Sequence, residues 1–314
     1  MTFFRYDEAL EGLGNGILSA TWEQFPSLAR NQIAMTWIVY DDPVPVNTGS
    51  ALSAEAFWQQ PVRGVHYRGV ELIYPASVVK LFYLVAAHEW LEKGMIQPSA
   101  ELDRALRDAI IESSNDATSL VVDSLTGTTS GPELPNGPFE TWKQQRNFVN
   151  RYYQSLNWPE LETINVNQKT WCEGPYGRER AFLGPAYENR NMLTTNAVAR
   201  LLHSIIGGVA VSPTRSQAMM ELLHRSLNPA DFPCEGEENQ VTGFLGSGLP
   251  KESKLWSKAG WTSKVRHDVA YMEIPGLQPC LLAVFLDCPA YSGNWEILPF
   301  IAQQVAGALA SLEG

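Results

Sequence analysis

Hydrophobic and polar residues along this 314-residue chain predict strands near both ends and helices in the middle. Short runs rich in β-branched and aromatic residues, bounded by Asp, Pro or Gly, are typical of strands. Between them, apolar residues recur every three or four positions, which predicts helices. We expect strands at Gln32–Tyr40, Val65–Ile73, Lys254–Gly260, Arg266–Ile274 and Pro279–Asp287, and helices within Thr21–Arg30 and at Ser77–Glu92, Ala100–Ile111, Ala117–Leu125, Phe139–Leu156, Thr194–Ile206, Pro213–Leu227 and Asn294–Leu312.

The order of these elements predicts how the chain divides. Strands from both chain ends would form one antiparallel five-stranded sheet flanked by terminal helices, and the helices between the second and third strands would form a lobe of their own. We expect an α/β (α+β) sandwich lobe from residues 1–75 and 229–314, an all-α lobe from residues 76–228, and an active-site cleft between them. Residues 157–191 show no sustained period, which is typical of a functional or mobile segment.

One predicted helix is apolar on every side. From Ile73 to Ala87 its only charged residue is Lys80, so we expect the helix to be buried and the lysine to leave water. Burial lowers a lysine pKa, and a neutral amine can take a proton from a hydroxyl group. Ser77 lies one helical turn before Lys80. The pair indicates a nucleophile with its base, although a capping serine followed by a surface lysine gives the same bare pattern.

Two further short motifs follow in the chain. Ser113-Ser114-Asn115 lies at a break between two predicted helices, where serine and asparagine are also ordinary capping residues. Lys258-Ala259-Gly260 lies on the first strand after the helices. Its lysine and glycine would line the cleft, or the lysine would only protect an exposed sheet edge.

Together these motifs resemble those of the serine β-lactamase and penicillin-binding-protein superfamily, in which S-x-x-K, S-D-N and K-T-G follow in the same order. The resemblance covers the chain from about Gln32 to its C-terminus, and the chain length is closest to that of class A β-lactamases. It implies the fold predicted above. It also implies a serine hydrolase that cleaves an amide or ester, a β-lactam or a related compound, through an acyl-Ser77 intermediate.

The resemblance also implies a role for each matching residue. Lys80 and Ser113 would transfer protons, Asn115 would hold the substrate's side-chain amide, and Lys258 would attract the substrate carboxylate. Backbone amides of Ser77 and Trp261 would form the oxyanion hole. The implied catalytic residues are Ser77, Lys80, Ser113, Lys258 and Glu179, and the implied substrate-binding residues are Asn115, Ala259, Gly260, Trp261 and Arg266.

The chain departs from the family pattern in its second and third motifs. Ser114 replaces the middle aspartate, which removes a hydrogen-bonding group of structural importance. Ala259 replaces the usual Thr or Ser, and so removes a hydroxyl that would bind a β-lactam carboxylate. Thr262, Arg266 or His267 would lie on the same or the adjacent strand, and we expect one of them to compensate.

The Glu-x-x-Leu-Asn signature of class A is also absent. In class A its glutamate activates the water that clears the acyl-enzyme. Counting back from the end of the 157–191 segment reaches Glu179, with Glu173 and Glu188 as rivals, and all three are equally well explained as surface carboxylates. If none of them activates water, the acyl-enzyme would live long. The function would then be that of a D-Ala-D-Ala peptidase or esterase of the penicillin-binding type. The two altered motifs also leave open a catalytically inactive binding protein of the same fold.

Charge and composition exclude several other classes of function. The net charge is −11 and no basic run is present, which argues against nucleic acid and anionic membranes as partners and leaves a small-molecule or peptide-like substrate. No apolar run reaches membrane-spanning length, and the oligomeric state is not indicated. The sequence as given shows no signal peptide, so we expect a cytoplasmic protein, or a periplasmic or extracellular one if the N-terminus was trimmed. We expect no cofactor and no metal, because the four cysteines, Cys172, Cys234, Cys280 and Cys288, lack zinc-ligand spacing and are expected to be free thiols.

Overall fold

The computed structural model describes residues 2–44, 53–232 and 239–312. Cys234 and parts of two predicted loops, Pro43–Pro61 and Asn228–Pro250, lie outside these ranges. Strands in the described part are β1 Phe4–Tyr6, β2 Ile33–Val39, β3 Val62–Tyr67, β4 His224–Arg225, β5 Lys254–Trp261, β6 Arg266–Glu273 and β7 Cys280–Leu286, and helices are α1 Glu8–Gln24, α2 Ala54–Trp58, α3 Lys80–Glu92, α4 Ala100–Ile110, α5 Asn115–Thr126, α6 Asn136–Arg146, α7 Phe148–Ser155, α8 Gly177–Leu183, α9 Thr195–Ile206, α10 Pro213–Leu223 and α11 Ile297–Leu312.

The chain forms two compact units. The first, here the sheet unit, consists of residues 1–78 and 194–314, and the second, the helical unit, of residues 79–193. All strands belong to the sheet unit, in the order β1-β3-β2-β7-β6-β5-β4. Neighbouring strands are antiparallel except β1 and β3, which run parallel. The mixed α/β fold built from both chain ends is therefore confirmed.

Two short edge strands account for the difference from the expected five-stranded sheet. β1 pairs with β3 and β4 pairs with β5, and each is too short to produce a pattern in the sequence. The strand predicted at Val65–Ile73 lies earlier, at Val62–Tyr67. The other four predicted strands are found within a few residues of their expected bounds.

The core of the sheet unit lies against the face of the sheet that α1 and α11 cover. β7 lies in the middle of the sheet and all of its residues are buried, in agreement with its unbroken apolar run. On β5 the side chains alternate between the two faces, so Leu255 and Ala259 belong to this core. The alternate residues of that strand, which include Lys258 and Gly260, lie on the opposite face.

The helical unit is built around α3, which is buried along almost its whole length, as expected. Two tyrosine hydroxyls tie neighbouring segments together: Tyr153 donates to the carbonyl of Phe82, and Tyr83 donates to the carbonyl of Gln168. The second bond attaches the 157–191 segment to α3. This segment is therefore held in place by specific polar contacts although it lacks a sequence period.

The boundary between the units differs from the predicted one. Helices α9 and α10 were assigned to the helical lobe, whose predicted range was 76–228, but they belong to the sheet unit. α9 packs on β2, β6 and β7, and α10 packs on β5. An amphipathic helix buries its apolar face in the same way against a sheet or against another helix, so its sequence pattern does not distinguish these partners.

Several helix bounds also differ from expectation. The first helix is Glu8–Gln24 rather than one within Thr21–Arg30, because three glycines weaken its pattern. The helix predicted at Phe139–Leu156 is broken at Asn147 into α6 and α7. Within the described ranges, no helix combines the length and the apolar character that crossing a membrane requires.

Candidate active site

Ser77 lies in a short 3-10 turn, Ala76–Val79, that leads directly into α3. The turn is closed by a hydrogen bond from the Val78 amide to the Pro75 carbonyl, 3.1 Å long. Ala76 has a φ of +47°, in the left-handed region that residues other than glycine rarely adopt. Such a conformation persists only where the surroundings hold it, and in many proteins it marks a functional turn.

Gly260 of β5 supplies part of these surroundings. A Cβ atom at this position would lie 2.8 Å from the Pro75 oxygen, 2.8 Å from the Ser77 nitrogen and 2.9 Å from the Val78 nitrogen. These atoms belong to the backbone and cannot rotate away, so only glycine allows the strand to approach the turn this closely. Gly260, the glycine of the third motif, therefore allows β5 to pack closely against the turn that carries Ser77.

His267 of β6 holds the same turn from its other end. Its Nδ1 atom accepts a hydrogen bond from the Leu286 amide, so the ring proton lies on Nε2, which donates to the Tyr74 carbonyl 2.8 Å away. Burial lowers the pKa of His267 to about 4, so the ring is neutral at physiological pH. His267 therefore anchors the backbone just before Ala76 and Ser77.

Replacing Gly260 with alanine is expected to displace this turn. We expect acylation of Ser77 to slow by about 100-fold, because small misplacements of a reacting group have effects of this size. Quantitative mass spectrometry of acyl-Ser77 measures the rate, and circular dichroism checks the fold. Gly12→Ala is the matched control, because no atom lies within 4 Å of its Cβ position. Unchanged acylation in Gly260→Ala would show that the close approach is unimportant.

The Lys258 side chain is fully buried on β5. Its Nζ atom donates to Gln240 Oε1 over 2.6 Å and to the Ala259 carbonyl over 2.7 Å. The same Gln240 oxygen accepts the Ala259 amide over 3.1 Å. Gln240 was not found by sequence reasoning, because a glutamine in a loop carries no motif.

Arg266, which was expected to bind substrate, lies on the wrong face of the sheet. It pairs with Trp261 in the β5–β6 register and therefore shares the face of Ala259, opposite to Lys258. Its guanidinium donates to the Gly243 carbonyl over 3.0 Å and to the Ser292 carbonyl over 3.3 Å. Arg266 thus connects two loops of the sheet unit, and we no longer assign it to the substrate.

In the helical unit, Lys80 is the central polar group. It is 1 % exposed and donates to the Ser113 carbonyl, to Ser113 Oγ at 3.3 Å and to Asn115 Oδ1 at 2.9 Å. Burial lowers the pKa of Lys80 to about 7, so near neutral pH a large fraction of the amine is unprotonated. The first and second motifs are therefore in direct contact, with the lysine poised for proton transfer.

The second motif forms the start of α5. Ser113 has a φ of +56°, and this turn directs both its carbonyl and its hydroxyl to Lys80. Ser114 is the N-cap of the helix, because its hydroxyl accepts the Ala117 amide over 3.2 Å. The replacement of aspartate by Ser114 therefore preserves a capping residue, and Asp116 lies inside the helix.

One residue of the 157–191 segment reaches this cluster, and it is Cys172. Its exposed thiol accepts a hydrogen bond from Asn115 Nδ2 over 3.2 Å. Cys172 also interacts electrostatically with Lys80. Sequence reasoning had considered Cys172 only as a free thiol, because nothing in its local sequence indicates which helix it contacts.

Glu179 lies in a separate cluster of buried charges. Its Oε1 atom accepts from Arg146 Nη2 over 2.7 Å and from Ser130 Oγ over 2.8 Å. Lys169 and Asp123 complete the cluster with a 2.7 Å ion pair, and Arg146 also contacts Asp123 at 3.2 Å. Two acidic and two basic side chains thus balance each other, as buried charges require.

This arrangement changes the interpretation of the three candidate glutamates. Glu179 is committed to Arg146 and is not a surface carboxylate, as the alternative interpretation had it. Glu188 accepts the Ala186 amide within an exposed turn, and Glu173 is exposed. In the described part of the chain, no group of three or more His, Cys, Asp or Glu residues is arranged to hold a metal ion.

Comparison with known protein families agrees with this geometry. The model of the beta-lactamase enzyme family matches residues 97–308, which is more than half of the chain. The chain belongs to this family. The match begins after Lys80, so it rests on the second and third motifs and their surroundings rather than on Ser77. Membership in the beta-lactamase family makes the protein a β-lactamase-like hydrolase and confirms the superfamily that the motifs indicated.

Solved structures of β-lactamases and of PBP-A share the fold. A β-lactamase from Sphaerobacter thermophilus DSM 20745 has a TM-score of 0.61 and 17% identity, with 95% of this chain and 98% of that chain covered. A PBP-A variant in an acyl-enzyme complex with penicillin G has a TM-score of 0.64 and 16% identity, with 98% of both chains covered. At these identities the likeness shows the fold alone. A comparison with curated protein sequences finds no significant match.

Proposed function

We propose that this beta-lactamase family member hydrolyses an amide or ester through an acyl-Ser77 intermediate. The observation that carries the proposal is the buried Lys80 amine, which is bonded to Ser113 and Asn115. A buried lysine without a function would be a liability, because removing its charge from water is unfavourable. A lysine with a lowered pKa that follows a serine in a strained turn is the arrangement that activates a hydroxyl nucleophile.

In the proposed acylation step, the neutral Lys80 amine takes the proton of Ser77 as its Oγ attacks the carbonyl carbon. The bond to the leaving nitrogen or oxygen then breaks, and Ser113 passes the proton from Lys80 to that atom. Backbone amides of Ser77 and Trp261 would stabilise the oxyanion. The close approach of Gly260 to the Ser77 amide brings β5 beside that amide. This supports an oxyanion hole formed by the amides of Ser77 and Trp261.

We further propose that the acyl-enzyme is cleared slowly. The carboxylate of Glu179 is bound to Arg146, and the residue of the segment that contacts Asn115 is a cysteine. A carboxylate held in a buried ion pair is not free to move toward the acyl group. These contacts favour the behaviour of a penicillin-binding peptidase or esterase over that of an efficient β-lactamase. A mutant of PBP-A, which shares this fold, was solved as an acyl-enzyme complex with penicillin G.

Mass spectrometry of the intact protein tests the proposal. After incubation with penicillin G or p-nitrophenyl acetate, we expect one acyl group per chain, located on Ser77 by peptide mapping. We expect the adduct to form faster than it decays, and we expect none in Ser77→Ala. Ser27→Ala, on a loop of the sheet unit, is the matched control. Absence of an adduct together with absence of turnover would favour a catalytically inactive binding protein, and an adduct that persists in Ser77→Ala would exclude the mechanism.

A further inference from the structure

Each of three cations near the end of β5 donates to at least one neutral oxygen atom among the described residues. Lys258 donates to Gln240 Oε1 and to the Ala259 carbonyl, at 2.6 and 2.7 Å. Arg225 donates to the Ser257 carbonyl at 3.0 Å, and Arg266 donates to the Gly243 carbonyl. All three cations are buried. These contacts use donors that a substrate carboxylate would otherwise bind.

Side chains of the protein also form hydrogen bonds with backbone groups along the edge of β5. β4 pairs with β5 only as far as Trp256, and side chains take over the edge beyond that residue. Arg225 covers the Ser257 carbonyl, and Gln240 covers the Ala259 amide while it holds Lys258. The next residue with the same backbone orientation is Trp261. We therefore expect a substrate to form hydrogen bonds with backbone groups of β5 only after Ala259.

Ala259 itself offers no replacement for the missing hydroxyl. Its methyl group lies in the apolar core of the sheet unit, on the face away from Lys258. Asp268 on the neighbouring strand is buried and interacts electrostatically with both Lys258 and Arg225. An acidic group inside the protein thus already offsets part of their positive charge.

We propose that this site does not require a carboxylate beside the reactive carbonyl of its acyl donor, and that Gln240 removes that requirement by occupying Lys258. The inference rests on the proposed function and names its substrate class, neutral esters and amides. A carboxylate that takes the place of the Gln240 oxygen on Lys258 leaves the buried Ala259 amide without that acceptor. An unpaired buried amide is unfavourable by about 1–3 kcal/mol, which offsets much of the gain from the new ion pair.

A matched pair of substrates tests the proposal: penicillin G and its methyl ester, which differ only in this carboxylate. We expect the second-order rate constants for acylation of Ser77 to agree within about threefold in the wild-type protein. In Gln240→Ala, Lys258 loses the Gln240 acceptor but keeps the Ala259 carbonyl, and we expect the free acid to become favoured by about tenfold or more, as one charge-assisted hydrogen bond provides. Gln303→Ala, on the exposed face of α11, is the control and should keep the wild-type ratio.

Gln240→Glu provides a second variant in case Gln240→Ala does not fold. It keeps an acceptor for Lys258 but adds a negative charge, so we expect acylation by the free acid to fall about tenfold relative to the ester. Wild-type acylation that is tenfold or more faster with the free acid would overturn the inference, as would a ratio that neither Gln240 variant changes. If neither penicillin nor p-nitrophenyl acetate acylates Ser77, the proposed function fails and the inference fails with it. Acylation by p-nitrophenyl acetate alone agrees with the inference, because that ester carries no carboxylate, and it leaves the acyl-serine mechanism standing.

Discussion

Acylation of Ser77 is expected to slow by about a thousandfold when Lys80 is replaced with methionine. Methionine keeps the volume of the side chain and the apolar surroundings of α3, but it cannot accept a proton. Positioned general bases contribute about 10²–10⁴-fold to rates, and Lys80 is the base in the proposed mechanism. Rapid-quench mass spectrometry with penicillin G or p-nitrophenyl acetate measures the rate constant.

The pH dependence of the same reaction provides a second signature. Because burial lowers the pKa of Lys80 to about 7, the fraction of neutral amine rises about tenfold per pH unit below pH 7 and levels off above it. We expect the acylation rate of the wild-type protein to follow this fraction, and we expect the dependence to disappear in Lys80→Met.

Lys93→Met is the matched control for both measurements. Lys93 follows α3, its side chain is 61% exposed, and it pairs with Glu89 in solvent. The variant should keep the wild-type rate and the wild-type pH profile. A wild-type rate that is constant between pH 5.5 and 8, or a Lys80→Met protein with full activity, would exclude Lys80 as the base.

Removal of Arg146 is expected to destabilise the protein by about 3–5 kcal/mol, because Arg146→Met leaves the Glu179 carboxylate buried without its partner. Both side chains are fully buried and lie 2.7 Å apart. Urea unfolding followed by circular dichroism measures the free energy of unfolding. Glu179→Gln should also be destabilising, since it leaves the Arg146 guanidinium with one charged partner fewer.

The same variants decide between the two roles of Glu179. If it serves the ion cluster, Glu179→Gln lowers the free energy of unfolding and leaves the lifetime of the acyl-enzyme unchanged. If it activates the deacylating water, the lifetime increases by about 100-fold or more and stability changes little. Glu173→Gln, in the same segment but exposed, is the control and should change neither quantity.

The sequence alone was sufficient to predict the main architecture. The buried helix α3 was predicted because a run of apolar residues with one lysine has no polar face to turn to water. The three long strands near the C-terminus were predicted because β-formers alternate with clear turn residues. The order of the elements, together with three short motifs, was sufficient to identify the superfamily, which the family match confirms.

Predictions that depended on which elements pack together were less successful. α9 and α10 were assigned to the helical lobe, and Arg266 was assigned to the substrate. In both cases the local pattern correctly indicated a helix or a strand. The prediction of which part of the molecule the element or side chain contacts was wrong. The face of a β-strand residue depends on the register with its neighbour, and a shift of one residue exchanges the two faces.

The sequence by itself thus determined the helix that carries Lys80, the strand that carries Lys258, and the family. Only the tertiary structure decided which residues surround them. It brought Cys172 to Asn115, bound Glu179 to Arg146, and placed Gln240 on Lys258. These pairs lie between 18 and 57 residues apart in sequence. Burial and periodicity are properties of neighbouring residues and are visible in a sequence, whereas contacts between distant polar side chains form only when the whole core has packed.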